Sequence, residues 1–290
     1  MTPLLSRPLC LALLLAASTV LSGQNLVVDY VEDVVLQERL SANPRKNEAR
    51  MEALSSFFDA AGCTGANLNR QPIKNKKKPP NVICVLPGSG EGTVVVGAHF
   101  DYVNAGSGAV DNWSGASLLP SLYQALAKRP RTLTFIFAGF SEEEIGLDGS
   151  RHFVQQWRRE NRPAPIAMVN LDCLGLSPTK ISVTTSDQRL MNQAARIAQA
   201  MKLPLQGVNV DQVGISDAVS FGREKIPTLD VTSITQESLS YLHSPEDTSD
   251  KIKFEHYRDT FKLVSAFLTY MDVSHAARPA AQPQPSGPSQ

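Results

Sequence analysis

Short runs that are apolar on both alternating faces recur along this chain with helical stretches between them, and that alternation narrows the fold more than any other feature. The runs TVVVGA at 93–98 and LTFIFAGF at 133–140 are apolar throughout, as strands are when helices cover both faces of their sheet. Further strand-like runs fall at 81–86, 166–171, 181–185 and 227–231. Helical spacing occupies 117–128, 150–161, 188–201, 216–221 and 254–271. Two opening helices are predicted, over 25–40 and 44–61, the second carrying Met51, Leu54, Phe57 and Phe58 at helical intervals. The expected class is α/β: a single domain with a central mixed, mainly parallel β-sheet flanked by helices. The basic run KNKKKPP at 74–80 falls where a hairpin loop would join 68–72 to the strand at 82, and is read as a solvated turn.

The two ends read differently from the body. Residues 1–23 place Arg7 in a short polar start, an apolar stretch from Leu9 to Leu21, and then Ser22 and Gly23. This is the pattern of a secretory signal peptide, and the apolar run is shorter than a membrane-spanning helix requires. Residues 276–290 are rich in Pro and hold no large apolar side chain, as in a disordered tail. The folded domain is therefore expected over 24–275, in a secreted or periplasmic protein with no membrane association once the signal is cleaved. Of the four cysteines, Cys10 leaves with the signal, so Cys63, Cys84 and Cys173 allow at most one disulfide, and Cys63 with Cys84 is the more plausible pair. The 28 basic and 28 acidic residues balance, which excludes the basic stripe of a nucleic-acid-binding protein.

In sheets of this kind ligands bind beyond the carboxyl ends of the strands, and there the chain carries a run of metal-binding side chains. The strand at 93 ends in His99, with Asp101 two residues on; Asp111 precedes a helix; the strand at 133 runs into Glu142, Glu143 and Glu144; the strand at 166 delivers Asp172; His243 stands before the last helix. Carboxylates gathered at a buried edge repel one another unless cations offset them. Two imidazoles with three carboxylates suit zinc, and the number of carboxylates suits two ions.

The segments GAHFD (97–101), AVDNWSG (109–115), SEEEIGLDGS (141–150), VNLDCLG (169–175) and LHSPEDT (242–248) resemble, in this order, the metal and catalytic blocks of the M28 family of zinc aminopeptidases. The resemblance covers roughly residues 40–272. It implies two zinc ions and a peptide substrate: His99 and Asp172 would bind one ion, Glu144 and His243 the other, and Asp111 would bridge them. It makes Glu143 the general base, places Asp101 behind His99, and implies a cis peptide bond after Asp111. Glu142 is left as an electrostatic or solvated neighbour. Some members carry a Tyr directly before the last ligand; here that place is Leu242, and Tyr241 stands one position away as a candidate oxyanion donor. Many members carry Ser-Asp-His in the penultimate block, where this chain has Ser216-Asp217-Ala218. Cys173 follows a ligand and by strand alternation should point away from it, into the core.

The function implied is a zinc-dependent exopeptidase, an aminopeptidase that uses an activated water and a Glu base. One alternative is glutaminyl-peptide cyclotransferase, a relative using one zinc; those enzymes tend to have extra residues between the Glu pair and the following Gly-Ser, and here only Ile145 to Asp148 intervene. A non-catalytic binding protein on the same fold is disfavoured because every ligand and the base are present. Exopeptidases acting at the carboxyl end or on dipeptides share these ligands, so the residues quoted leave polarity, side-chain preference and oligomeric state open.

Overall fold

Eight strands form one sheet in the order β1-β2-β4-β3-β5-β8-β6-β7. They are β1 (Leu68–Gln71), β2 (Asn81–Leu86), β3 (Thr93–His99), β4 (Thr134–Phe140), β5 (Ala167–Leu171), β6 (Lys180–Ser182), β7 (Gln206–Val208) and β8 (Thr228–Thr232). The computed structural model describes residues 26–210 and 214–277. The signal peptide expected at 1–23 and nearly all of the tail expected at 276–290 lie outside them.

The centre of the sheet is parallel, β4 with β3, β3 with β5 and β5 with β8, whereas β1 with β2, β2 with β4 and β6 with β8 pair antiparallel. Alternation along the central strands sorts their side chains. Val94 and Val96 of β3, Phe135 and Phe137 of β4, and Val169 of β5 face the larger core, which α1 (Asp33–Ala42), α2 (Asn47–Ala60), α3 (Ser114–Ala127), α5 (Gln188–Met201) and α7 (Phe254–Ala276) cover. Val95, Ile136, Phe140 and Met168 point the other way, onto Phe153 and Trp157 of α4 (Asp148–Arg159) and Phe221 of α6 (Ala218–Gly222). Helices on both faces are what a both-sided apolar strand requires.

The alternation of elements is as expected, with local differences. Residues 26–32 are not helical; α1 begins at Asp33, whose carboxylate sits in the first turn, where the helix dipole favours negative charge. The edge strand β7 has no counterpart in the sequence reading, because Gln206-Gly207-Val208 has no apolar alternation and is largely exposed. The last helix continues to Ala276, into the segment read as tail. Cys63 and Cys84 form a disulfide that ties the end of α2 to β2, and Cys173 is a buried free thiol. No helix among the described residues is long and apolar enough to cross a membrane.

Three connections position the site. His99 is the last residue of β3, Glu142 to Glu144 follow β4 directly, and Asp172 follows β5, all at the same edge of the parallel centre. Gly115 lets the start of α3 close onto β5: a Cβ there would lie 2.3 Å from the Leu171 carbonyl oxygen.

Candidate active site

Between β3 and α3 the chain loops outward, and a buried arginine from α2 holds that loop. Arg50, fully buried, donates from Nη1 to Phe100 O (3.0 Å) and from Nη2 to Ser107 O (2.7 Å) and Gly108 O (2.8 Å), with its guanidinium 4.2 Å over the Tyr102 ring. Burial pulls its pKa down to about 10, against the rising influence of Tyr102 and Asp247. The following segment, 109–113, departs from helical geometry at Asp111 and Asn112, and the peptide bond between them is cis. Asn112 clamps the turn: Nδ2 donates to Leu171 O (2.8 Å), while Oδ1 accepts from the Gly115 (2.9 Å) and Cys173 (3.2 Å) amides. Asp247, from the loop that carries His243, accepts from the amides of Val110 (2.7 Å) and Asp111 (3.3 Å). Two segments more than a hundred residues apart are thereby fixed to each other.

The side chains singled out from the sequence meet here. Asp111 lies between the two imidazoles, Oδ1 at 3.3 Å from His99 Nε2 and Oδ2 at 3.2 Å from His243 Nε2. Each imidazole faces a second carboxylate as well, Asp172 at 3.7 Å from His99 Nε2 and Glu144 at 2.9 Å from His243 Nε2. Asp101 stands behind His99, 3.5 Å from Nδ1, and its two oxygens accept the amides of Glu143 (3.0 Å) and Glu144 (3.2 Å). Nδ1 also meets the Asp101 backbone carbonyl at 3.2 Å, so one residue orients the ring with carbonyl and carboxylate and the glutamate turn with its carboxylate, leaving Nε2 of His99 turned toward Asp111 and Asp172.

A cavity of about 580 Å³ opens onto this cluster, lined by His99, Asp111, Glu143, Glu144, Asp172 and His243 among others. Among the described residues no Lys or Arg lines it. Crowding shows in the acidities. Burial pushes Glu143 up to about 10, with Asp217, Asp172 and Glu144 adding to the rise and His99 opposing it. Glu144 goes up to about 7, through burial and then Asp111. Burial works against protonation of His99, yet the surrounding carboxylates, Glu143 first, raise it well above the ordinary histidine value. His243 is raised to about 9, chiefly by its hydrogen bond to Asp111. Asp111 goes down: burial alone would raise it, and the two imidazoles outweigh burial.

The residues fit zinc. Imidazole nitrogens and carboxylate oxygens are its usual nitrogen and oxygen donors, and His99, Asp111 and Glu144 each offer one ligand atom within 4.8 Å of the others. Glu144 Oε1 is buried with no hydrogen-bond partner, and Asp172 Oδ1 has none nearer than His99 Nε2 at 3.7 Å; a divalent cation is the natural match for such anionic oxygens.

Several expectations need correction. Of the two readings of Glu142 the electrostatic one holds and the solvated one does not: it is buried and paired at 2.9 Å with Lys78 Nζ, from the basic run read as a solvated turn. Cys173 does not point away, because the chain leaves extended geometry there (φ 56°), alternation ends, and the thiol lines the cavity beside Asp172. Tyr241 is not brought to the cavity; its ring lies 4.5 Å from Lys251 Nζ and packs against the cluster of Val110, Cys173, Leu176 and Ile234, and the wall at that point is Leu242. Asp217, buried with neither oxygen hydrogen-bonded, is pushed up to about 7 by burial and was not singled out. Nor were Arg50, Asn112 and Asp247, whose roles depend on backbone groups that no sequence pattern displays.

The chain is 27% identical over 243 residues to a probable leucine aminopeptidase of Trichophyton verrucosum, a match covering 77% of this chain and 65% of the relative. Among solved structures, the LapA aminopeptidase of Legionella pneumophila shares the fold with a TM-score of 0.70 at 23% identity, over 82% of this chain and 70% of that one. The glutaminyl cyclase of Fimbriiglobus ruber shares it with a TM-score of 0.65 at 17% identity, over 82% and 93%. The model of Peptidase family M28 matches residues 81–268, a span that runs from β2 into α7 and holds His99, Asp111, Glu143, Glu144, Asp172 and His243, and the chain belongs to that family.

Proposed function

We propose that this protein is a two-zinc aminopeptidase, removing N-terminal residues from peptides. The observation that carries the reading is Asp111 reaching one imidazole with each oxygen, each imidazole paired with a further carboxylate. That arrangement divides the donors into two sets sharing one bridge: His99 with Asp172, and His243 with Glu144. Zinc bound there would acidify a water and polarise the scissile carbonyl.

The chain's own groups do the rest. Glu143 lines the same cavity, with its backbone fixed by Asp101, and a carboxylate so placed can take a proton from the attacking water and return it to the leaving amine. Glu143, raised by burial and by its acidic neighbours, would fall toward the range of a working base once cations were held among those carboxylates. The acidic rim formed by Glu144 and Asp172 suits a free α-amine, which restricts attack to the chain end. Asp101 keeps His99 in one tautomer, and Asp247 keeps the backbone of Asp111 in register with the His243 loop.

Export to an oxidising compartment belongs to the same proposal, supported by the leader pattern at 1–23 and by the Cys63–Cys84 disulfide. The test is hydrolysis of aminoacyl amides and of the same compounds acetylated at the α-amine. Cleavage of the free amines alone is expected. Equal cleavage of the acetylated series would refute the aminopeptidase reading, and conversion of N-terminal Gln to pyroglutamate would replace it with the cyclotransferase.

A further inference from the structure

Beyond the metal-binding side chains the cavity has walls and a floor of different chemistry. Exposed Ile215 and half-buried Leu239 and Leu242 give apolar walls, while the floor carries a carboxylate, Asp230 of β8, which is 3% exposed. Its donors can be counted. Oδ1 accepts from Asn170 Nδ2 (2.8 Å), and Oδ2 from the hydroxyls of Thr185 (2.7 Å) and Ser216 (2.8 Å). An ionised carboxylate has about four acceptor sites, so one is left over. Beside it, the buried Asn170 Oδ1 accepts from nothing.

No cation among the described residues answers this surplus. Asp230 has no ion pair among the described residues, and Lys180, on the neighbouring strand β6, gives its Nζ to Gln206 Oε1 at 3.0 Å. A buried anion with spare acceptors and no counter-ion is costly unless a guest supplies donors and positive charge. The position suits a side chain of the substrate. Asp230 is in register with Asn170, two residues before Asp172 along the parallel pair, or about 7 Å by strand rise. A four-carbon stem covers that distance along the apolar walls and sets its charged end on the floor.

We infer that the cavity selects peptides whose N-terminal residue is basic, lysine or arginine, with Asp230 as the residue that determines this specificity. The inference rests on the aminopeptidase reading above.

The zinc-loaded protein is assayed on the p-nitroanilides of lysine, arginine, leucine and norleucine, the last matching the lysine stem without its charge. Lysine and arginine should exceed norleucine in kcat/KM by at least about tenfold, because a site with unpaired acceptors rejects a guest that lacks donors. Asp230→Asn keeps the shape and removes the charge, and should bring the lysine-to-norleucine ratio down to about one, with a thermal melt checking that it folds. If it does not fold, the wild-type ratio decides. Leucine and norleucine cleaved as well as lysine would overturn the specificity while leaving the aminopeptidase reading intact. Failure to cleave any of the four would remove both.

Discussion

Asp111 can serve two imidazoles only because its backbone is held from two sides, by the Asn112 clamp on β5 and by the Asp247 carboxylate on the amides of Val110 and Asp111. Asp101 does comparable work for His99 and for the amides of Glu143 and Glu144. Replacing Asp101 by Ala should therefore lower zinc affinity by about 10- to 100-fold, measured by competition with a coloured chelator. Unchanged affinity would mean that the Asp101 backbone carbonyl, 3.2 Å from Nδ1, orients the ring without the carboxylate. Glu143→Gln should reduce kcat by about a hundredfold or more while zinc content stays that of the parent. The clustering of His99, Asp111, Glu144, Asp172 and His243 was legible because histidines and carboxylates rarely stand at the end of a buried strand without a partner. Asp217 and Asp247 were not, since an acid in a loop or at the start of a short helix is ordinary until its surroundings are known.

At the scale of elements, the loop from β3 to α3 depends on α2. Arg50 supplies donors to three loop carbonyls and, through Nε, to Pro44 O at 2.9 Å. Arg50→Met leaves those buried acceptors without donors and should cost at least about 3 kcal/mol of stability, read by urea denaturation; a loss under about 1 kcal/mol would show that water replaces the guanidinium. The Cys63–Cys84 bond closes a loop across 21 positions, and its removal by Cys84→Ser should cost about 3 kcal/mol by loop entropy, measured the same way against the oxidised parent. The strands with both faces apolar were readable, since covering helices impose that pattern. Edge strand β7 was not, because an exposed edge imposes none. The Lys78 to Glu142 pair was hidden for a related reason: a lysine in a basic turn reveals its partner only when β2 and β4 pair and bring the turn beside the glutamates.

For the whole molecule, the even balance of 28 and 28 charges conceals a separation. Carboxylates concentrate at one edge of the sheet, in a cavity that no Lys or Arg among the described residues lines, and burial raises several of them. Such a cluster needs cations for stability as well as for chemistry, so zinc should raise the melting temperature in proportion to the logarithm of its free concentration above saturation. The account is tested most directly by stripping the protein with a chelator and restoring zinc in counted equivalents while following hydrolysis of a free-amine aminoacyl p-nitroanilide. Activity should vanish on stripping and reach its plateau at two equivalents per chain, with no pyroglutamate formed from Gln-peptides. A plateau at one equivalent accompanied by pyroglutamate, or hydrolysis indifferent to the chelator, would contradict it.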